Sequence, residues 1–165
     1  MEAPQILVVD LGSQYTTVIG RSIRELGFRT AILSPKKARD WLTQNKARCV
    51  ILSGSDYSVS GLKAPTPPPE IFKSGAPILG ICYGMQWLAE HFGGELFNEL
   101  KNKEYGPATA LIEECDPIFK GLKESRPVWA SHGDSVKVLP PAFKCIARSA
   151  ESGGITGMAN HDLNI

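Results

Sequence analysis

Five consecutive residues, Gly80-Ile81-Cys82-Tyr83-Gly84, put a thiol between two glycines where an apolar run gives way to a segment of helical periodicity. That context gives a G-x-nucleophile-x-G turn its meaning. The glycines let the backbone turn sharply and let helix and strand approach closely, so the side chain between them is expected in a strained, exposed position. Cys82 then stands at a helix N-terminus, where the partial positive charge and the unpaired N–H groups favour thiolate. The Tyr83 N–H can point at a developing oxyanion. A buried cysteine with incidental glycines is the competing reading, and the strand-to-helix context favours the nucleophile.

A thiolate attacking a carbonyl needs a group to protonate the leaving amine and to activate water. The chain offers His91, His132 and His161. His91 follows Cys82 by nine residues on the same helix, roughly 13 Å at about 1.5 Å per residue, and is expected to cap or cover the far end. His132, within Trp129-Ala130-Ser131-His132-Gly133-Asp134, stands at a strand end and reads equally as a cleft residue or as a structural histidine in a tight turn. His161, beside Asp162, is expected to be solvated. The loop Ser53-Gly54-Ser55-Asp56 falls at the carboxyl end of a strand, where open α/β sheets bind ligands, and its N–H groups could supply a second oxyanion donor. An ordinary turn is the plain alternative. Cys49, Cys82, Cys115 and Cys145 lie thirty or more residues apart, so no close pair offers two thiolates to one metal and no metal site is expected.

The elements that must hold these residues follow from the apolar pattern. Ile6–Val9, Thr30–Leu33, Cys49–Leu52 and Pro77–Ile81 read as strands, the first being a continuous apolar run suited to burial on both faces. Between them, Ile19, Ile23 and Leu26 mark a helix closed by Gly27, and Ala38, Trp41 and Leu42 a shorter one. Ser53–Pro69, with Pro65, Pro67, Pro68 and Pro69, reads as a long surface loop, and Met85–Phe92 as a helix ended by Gly93-Gly94. Ala108–Glu113, Val128–His132, Ser135–Leu139, Lys144–Ser149 and Ile155–Ala159 read as short strands between turns. The fold class is α/β: an open, mostly parallel sheet flanked by helices, with antiparallel strands added in the second half.

The chain has 165 residues, room for one domain, with 42% hydrophobic residues and a net charge of +1. No stretch concentrates either sign, so the electrostatic footprint of a nucleic-acid binder is missing. No run of eighteen apolar residues offers a membrane span. With no basic and apolar leader at Met1-Glu2-Ala3-Pro4-Gln5, a cytoplasmic protein is expected.

Together these segments resemble class I glutamine amidotransferases, and among them the amidotransferase domain of glutamine-hydrolysing GMP synthases. The likeness rests on Ile6 to Tyr15, on Gly80 to Gln86 and on Ser131-His132-Gly133-Asp134, with Glu104-Tyr105-Gly106 and Met158-Ala159-Asn160 also fitting the spacing. The resemblance implies that Cys82 attacks the glutamine side-chain amide, forms a glutamyl thioester and releases ammonia. It implies an oxyanion hole from the N–H groups of Ser55 and Tyr83, and Gln86, Ser131, Gly133 and Asp134 holding the amino-acid end of glutamine. It implies no cofactor in this domain. Ammonia would pass to an ATP-pyrophosphatase (synthetase) domain that uses ATP and Mg to adenylate XMP and make GMP, in an enzyme that could be a homodimer.

Where the family usually has Ser-Gly-Gly-Pro, this chain has Ser53-Gly54-Ser55-Asp56, and the serine restricts a backbone flip to positive φ. The family's base and its orienting acid, a His and a Glu in a Gly-x-Gln-Phe-His-Pro-Glu segment, are expected a few residues beyond Asn160–Ile165, and the synthetase domain beyond them. Residues 1–165 are therefore expected to be a single, C-terminally incomplete domain with little or no turnover of its own, acylation and deacylation losing about 10²–10⁴-fold or more. The alternative is a non-catalytic module that binds glutamine or docks on a synthetase.

Overall fold

Ile6-Leu7-Val8-Val9 is β1 (Ile6–Val9), and its last three side chains are fully buried, as a strand covered on both faces requires. A computed structural model describes residues 5–97, 104–113 and 116–165. In it β1 pairs in parallel with β2 (Thr30–Leu33) on one side and β3 (Cys49–Leu52) on the other, and β4 (Ile78–Gly80) extends the sheet beyond β3. The strand order is β2-β1-β3-β4.

Helix α1 (Thr16–Glu25) ends where expected: Gly27 adopts φ 87°, the left-handed C′ position that a glycine fills without strain. Its Gly20 lies against β2 so closely that a β-carbon there would come within 2.5 Å of Ile32 Cδ1. Helix α2 (Pro35–Gln44) starts with a proline in its first turn and buries Ala38. A four-residue helix, α3 (Glu70–Lys73), follows the proline-rich loop and buries Ile71; no periodic signal announced so short an element. Helix α4 (Tyr83–His91) begins directly after Cys82, two residues before the expected start. At the outer edge of β4 the Asn164 carbonyl accepts from the Ile78 N–H at 2.8 Å.

The second half forms a sheet of its own. β5 (Glu95–Phe97), β6 (Glu104–Ile112), β7 (Ser125–His132), β8 (Ser135–Val138), β9 (Lys144–Ser149) and β10 (Ile155–Ala159) pair antiparallel in the order β5-β8-β10-β9-β6-β7. β6 and β7 both start earlier than their sequence suggested, because prolines interrupt the strand signal. Pro127 sits on β7, the edge strand, and Pro107 lies where β6 pairs with β7 alone, since β6 meets β9 only over Ala110–Ile112. A missing N–H does no harm at either place.

By its contacts the chain falls into two compact units, the described residues up to Met85 with Leu163–Ile165, and Gln86–Asp162. The first is centred on Leu7, Val8, Val9, Val50, Leu52 and Ile71, and the second on Leu88, Ala89, Val136, Ile146, Ala147 and Met158. No helix among the described residues is long and apolar enough to cross a membrane.

Candidate active site

In the first unit, β1 is followed in sequence by β2 on one side, and β3 then lies on its other side. The order therefore reverses between β1 and β3, and loops leaving the carboxyl ends at such a point form the usual ligand crevice of an open α/β sheet. The loops there are Asp10–Tyr15 after β1, Ser53–Asp56 after β3 and Ile81-Cys82 after β4.

Cys82 itself takes the left-handed conformation, φ 52°, and is half-buried. Neither flanking glycine has positive φ; their role is close approach. A β-carbon on Gly84 would lie 2.5 Å from the Leu52 carbonyl oxygen, and one on Gly80 would lie 2.6 Å from the Gly84 carbonyl carbon and the Met85 nitrogen. Only glycine permits the Gly84–Met85 backbone to approach β3 and β4 this closely, so the turn is compressed and its strain falls on the cysteine. The turn closes with Gly84 N–H donating to the Ile81 carbonyl at 3.0 Å, and Ile81 N–H donates to the Leu52 carbonyl at 3.0 Å. Tyr83 is buried, and its hydroxyl donates to the Pro65 carbonyl at 2.7 Å, tying the proline-rich loop to the start of α4.

The β3 loop lies against this turn, since a β-carbon on Gly54 would stand 3.7 Å from Cys82 Cβ and 3.4 Å from Ser13 Oγ. Ser53 is fully buried; its Oγ accepts from the Leu11 N–H and donates to the Gly54 carbonyl, both at 2.9 Å. Ser55 is half-buried, and its Oγ accepts from the Tyr57 N–H at 3.3 Å. The β1 loop is braced by Asp10, whose Oδ1 accepts from the Gly12 N–H at 3.0 Å and from the buried Thr16 hydroxyl at 2.9 Å. Cys82, Tyr83 and Ser55 thus share one end of the parallel sheet. Ser53 was missed as a brace, because its partner Leu11 is 42 residues away in sequence.

In the second unit, Ser131-His132-Gly133-Asp134 runs from the end of β7 to the start of β8. The buried Gln86 donates its Nε2 to the Asp134 carbonyl at 2.6 Å, and His132 Nδ1 lies 3.1 Å from the same oxygen. His132 Nε2 is 3.3 Å from Glu104 Oε2, and Glu104 Oε1 accepts from the buried Ser149 hydroxyl at 2.7 Å. Gln86, His132 and Asp134 are brought together; Ser131 is exposed and Gly133 half-buried. Of the two readings left open for His132, its contacts within this unit match the structural one.

The other histidines are also engaged. His91 stacks on Trp87 with ring centres 4.7 Å apart and meets Phe92 edge-on. His161, expected to be merely solvated, instead places Nε2 2.9 Å from Oδ2 of the buried Asp116. That aspartate caps the 3-10 turn Pro117–Phe119 by accepting from Ile118 N–H, so its carboxylate is fixed where the exposed imidazole can reach it. Cys49 and Cys145 sit in settings that suppress reactivity: burial pushes the Cys49 thiol up, and burial with a Glu113 hydrogen bond pushes Cys145 up to about 11. Cys115 lies outside the described residues. Among the described residues no group of three or more His, Cys, Asp or Glu side chains could hold a metal ion.

A cysteine on a tight strand-to-helix turn, beside a loop rich in small residues at one end of a parallel sheet, is the arrangement set against known proteins. Residues 7–165 match the family described as Glutamine amidotransferase class-I. The chain belongs to the class I glutamine amidotransferases. Among individual relatives it is similar to GMP synthase [glutamine-hydrolyzing] of Treponema denticola, 40% identical over 161 residues, covering 98% of this chain and 30% of that protein. The enzyme of the same description from Chlorobium limicola is 44% identical over 151 residues, covering 89% of this chain and 29% of that one. The chain thus spans about 30% of the length of these relatives. Among solved structures, a GMP synthase-type protein from Thermoplasma acidophilum superposes with a TM-score of 0.79 at 30% identity, covering 97% of this chain and 79% of that one. A Thermotoga maritima glutamine amidotransferase, 20% identical with a TM-score of 0.74 over 97% of this chain and 73% of its own, shares the fold.

Proposed function

We propose that this chain is the glutamine-hydrolysing part of a GMP-synthesising enzyme. The observation that carries the reading is Cys82 held at φ 52° where β4 turns into α4, with the Ser53–Asp56 loop alongside. The Cys82 sulfur attacks the side-chain carbonyl carbon of L-glutamine, the oxygen passes through an oxyanion, and the C–N bond breaks as ammonia leaves with a proton. Water then cleaves the thioester to glutamate and regenerates the thiol. The N–H groups of Tyr83 and Ser55 serve the oxyanion, while Gln86, Ser131, Gly133 and Asp134 serve the amino-acid end of glutamine. The ammonia feeds a synthetase domain that uses ATP and Mg to convert XMP to GMP in the cytoplasm, with residues 1–165 working as one amidotransferase domain.

The three histidines are each engaged as described, and we assign the general base to none of them. The test is ammonia release from L-glutamine by the chain and by its Cys82→Ala variant. The expected result is a steady rate at least about 100-fold lower for the variant; equal rates would contradict the reading. A chain that binds L-glutamine and releases no ammonia is the non-catalytic module instead.

A further inference from the structure

We infer that Ser53 is a positioning residue that presets the oxyanion donor of the β3 loop, an inference that rests on the glutaminase reading above. The Ser53 hydroxyl has one proton to give and gives it to the Gly54 carbonyl, while its oxygen takes the Leu11 N–H, each at 2.9 Å. Both ends of that hydroxyl are thereby fixed, and the residue is wholly buried at the end of β3. The Gly54 carbonyl and the Ser55 N–H belong to one peptide plane, and in a trans peptide they point to opposite sides. No peptide bond among the described residues is cis. Holding the carbonyl inward on Ser53 therefore turns the Ser55 N–H the other way, towards the open side of a loop whose Gly54 lies beside Cys82.

Reversing this peptide would break the Ser53 bond and drive Ser55 towards positive φ, where its β-carbon is strained. Ser55 then acts with Ser53 to hold the donor in a single orientation before substrate arrives. Such preorganisation is what makes a backbone N–H effective at a developing negative oxygen.

The experiment uses the full chain and L-glutamate γ-(4-nitrophenyl) ester. The Cys82 sulfur adds to the ester carbonyl, the C–O bond breaks, and 4-nitrophenolate leaves without needing a proton, so the coloured burst reports acylation alone. Iodoacetamide is the control: it alkylates the same sulfur by displacing iodide from carbon and builds no oxyanion. Ser53→Ala is expected to slow the saturated burst about 10–100-fold while half-saturation and the alkylation rate stay within about two-fold. Ser53→Cys, similar in size but a weaker donor, is expected to fall between. Ser55→Pro, which deletes the N–H itself, should lose at least as much as Ser53→Ala, and the double variant no more than Ser55→Pro. Unchanged bursts in both Ser53 variants would overturn the inference, as would bursts and alkylation falling in parallel. A wild-type chain that is alkylated but gives no burst would overturn the glutaminase reading, and this inference with it.

Discussion

At the residue scale, the side chain proposed to react sits on strained backbone, as do Ala142 and Asn164, the other non-glycine residues at positive φ among those described. Cys82 occupies a left-handed conformation that costs a non-glycine residue about 1–2 kcal/mol. A glycine there would escape that cost and lose about 0.5–1 kcal/mol of it again to chain entropy. Cys82→Gly is therefore expected to raise the stability of the chain by up to about 1.5 kcal/mol while abolishing acylation. Urea unfolding should show the midpoint rising at constant slope, and a lower midpoint would mean the turn is not strained. This position was legible in the sequence because its determinants, Gly80 and Gly84, are two residues away on either side. Ser53 and the Asp116–His161 pair were not, because their partners lie some forty residues off and only the folded chain brings them together.

At the level of elements, the close approach of Gly84 and Met85, at the start of α4, to β3 and β4 is what aims the turn. Gly84→Ala would push a β-carbon into the Leu52 carbonyl, where backbone on both sides leaves little room to yield. The expected loss is about 1–3 kcal/mol, read as a lower unfolding midpoint, together with a slower acylation burst. A variant with wild-type stability would show that helix and strand are less tightly joined than their spacing indicates. The strands of the parallel sheet were readable because each is a short apolar run bounded by turn residues. β5 was not, being three residues long, and β6 and β7 were shortened in the reading because Pro107 and Pro127 look like breakers until the pairing shows their N–H groups are not required. The Gln86–Asp134 and His132–Glu104 contacts likewise depend on side chains from α4, β6 and β7 meeting in three dimensions.

At the scale of the whole molecule, the four-stranded parallel sheet carries the Gly80–Gly84 turn, and a separate antiparallel sheet carries the Ser131–Asp134 loop. The α/β class and the run of later strands followed from hydrophobic pattern alone; that those strands form their own sheet did not, since pattern says which residues are extended and not which edges they join. Family membership extends over residues 7–165, nearly the whole chain. The most direct test is to treat the chain at pH 8 with a diazoketone analogue of L-glutamine and map the adducts by mass spectrometry. Among the described cysteines one adduct is expected, on Cys82, suppressed by L-glutamine. Cys49 and Cys145 should stay unmodified, because burial raises both thiols and Cys145 reaches its thiolate only near pH 11. A chain left unlabelled at Cys82, or labelled first at Cys49 or Cys145, would contradict the account.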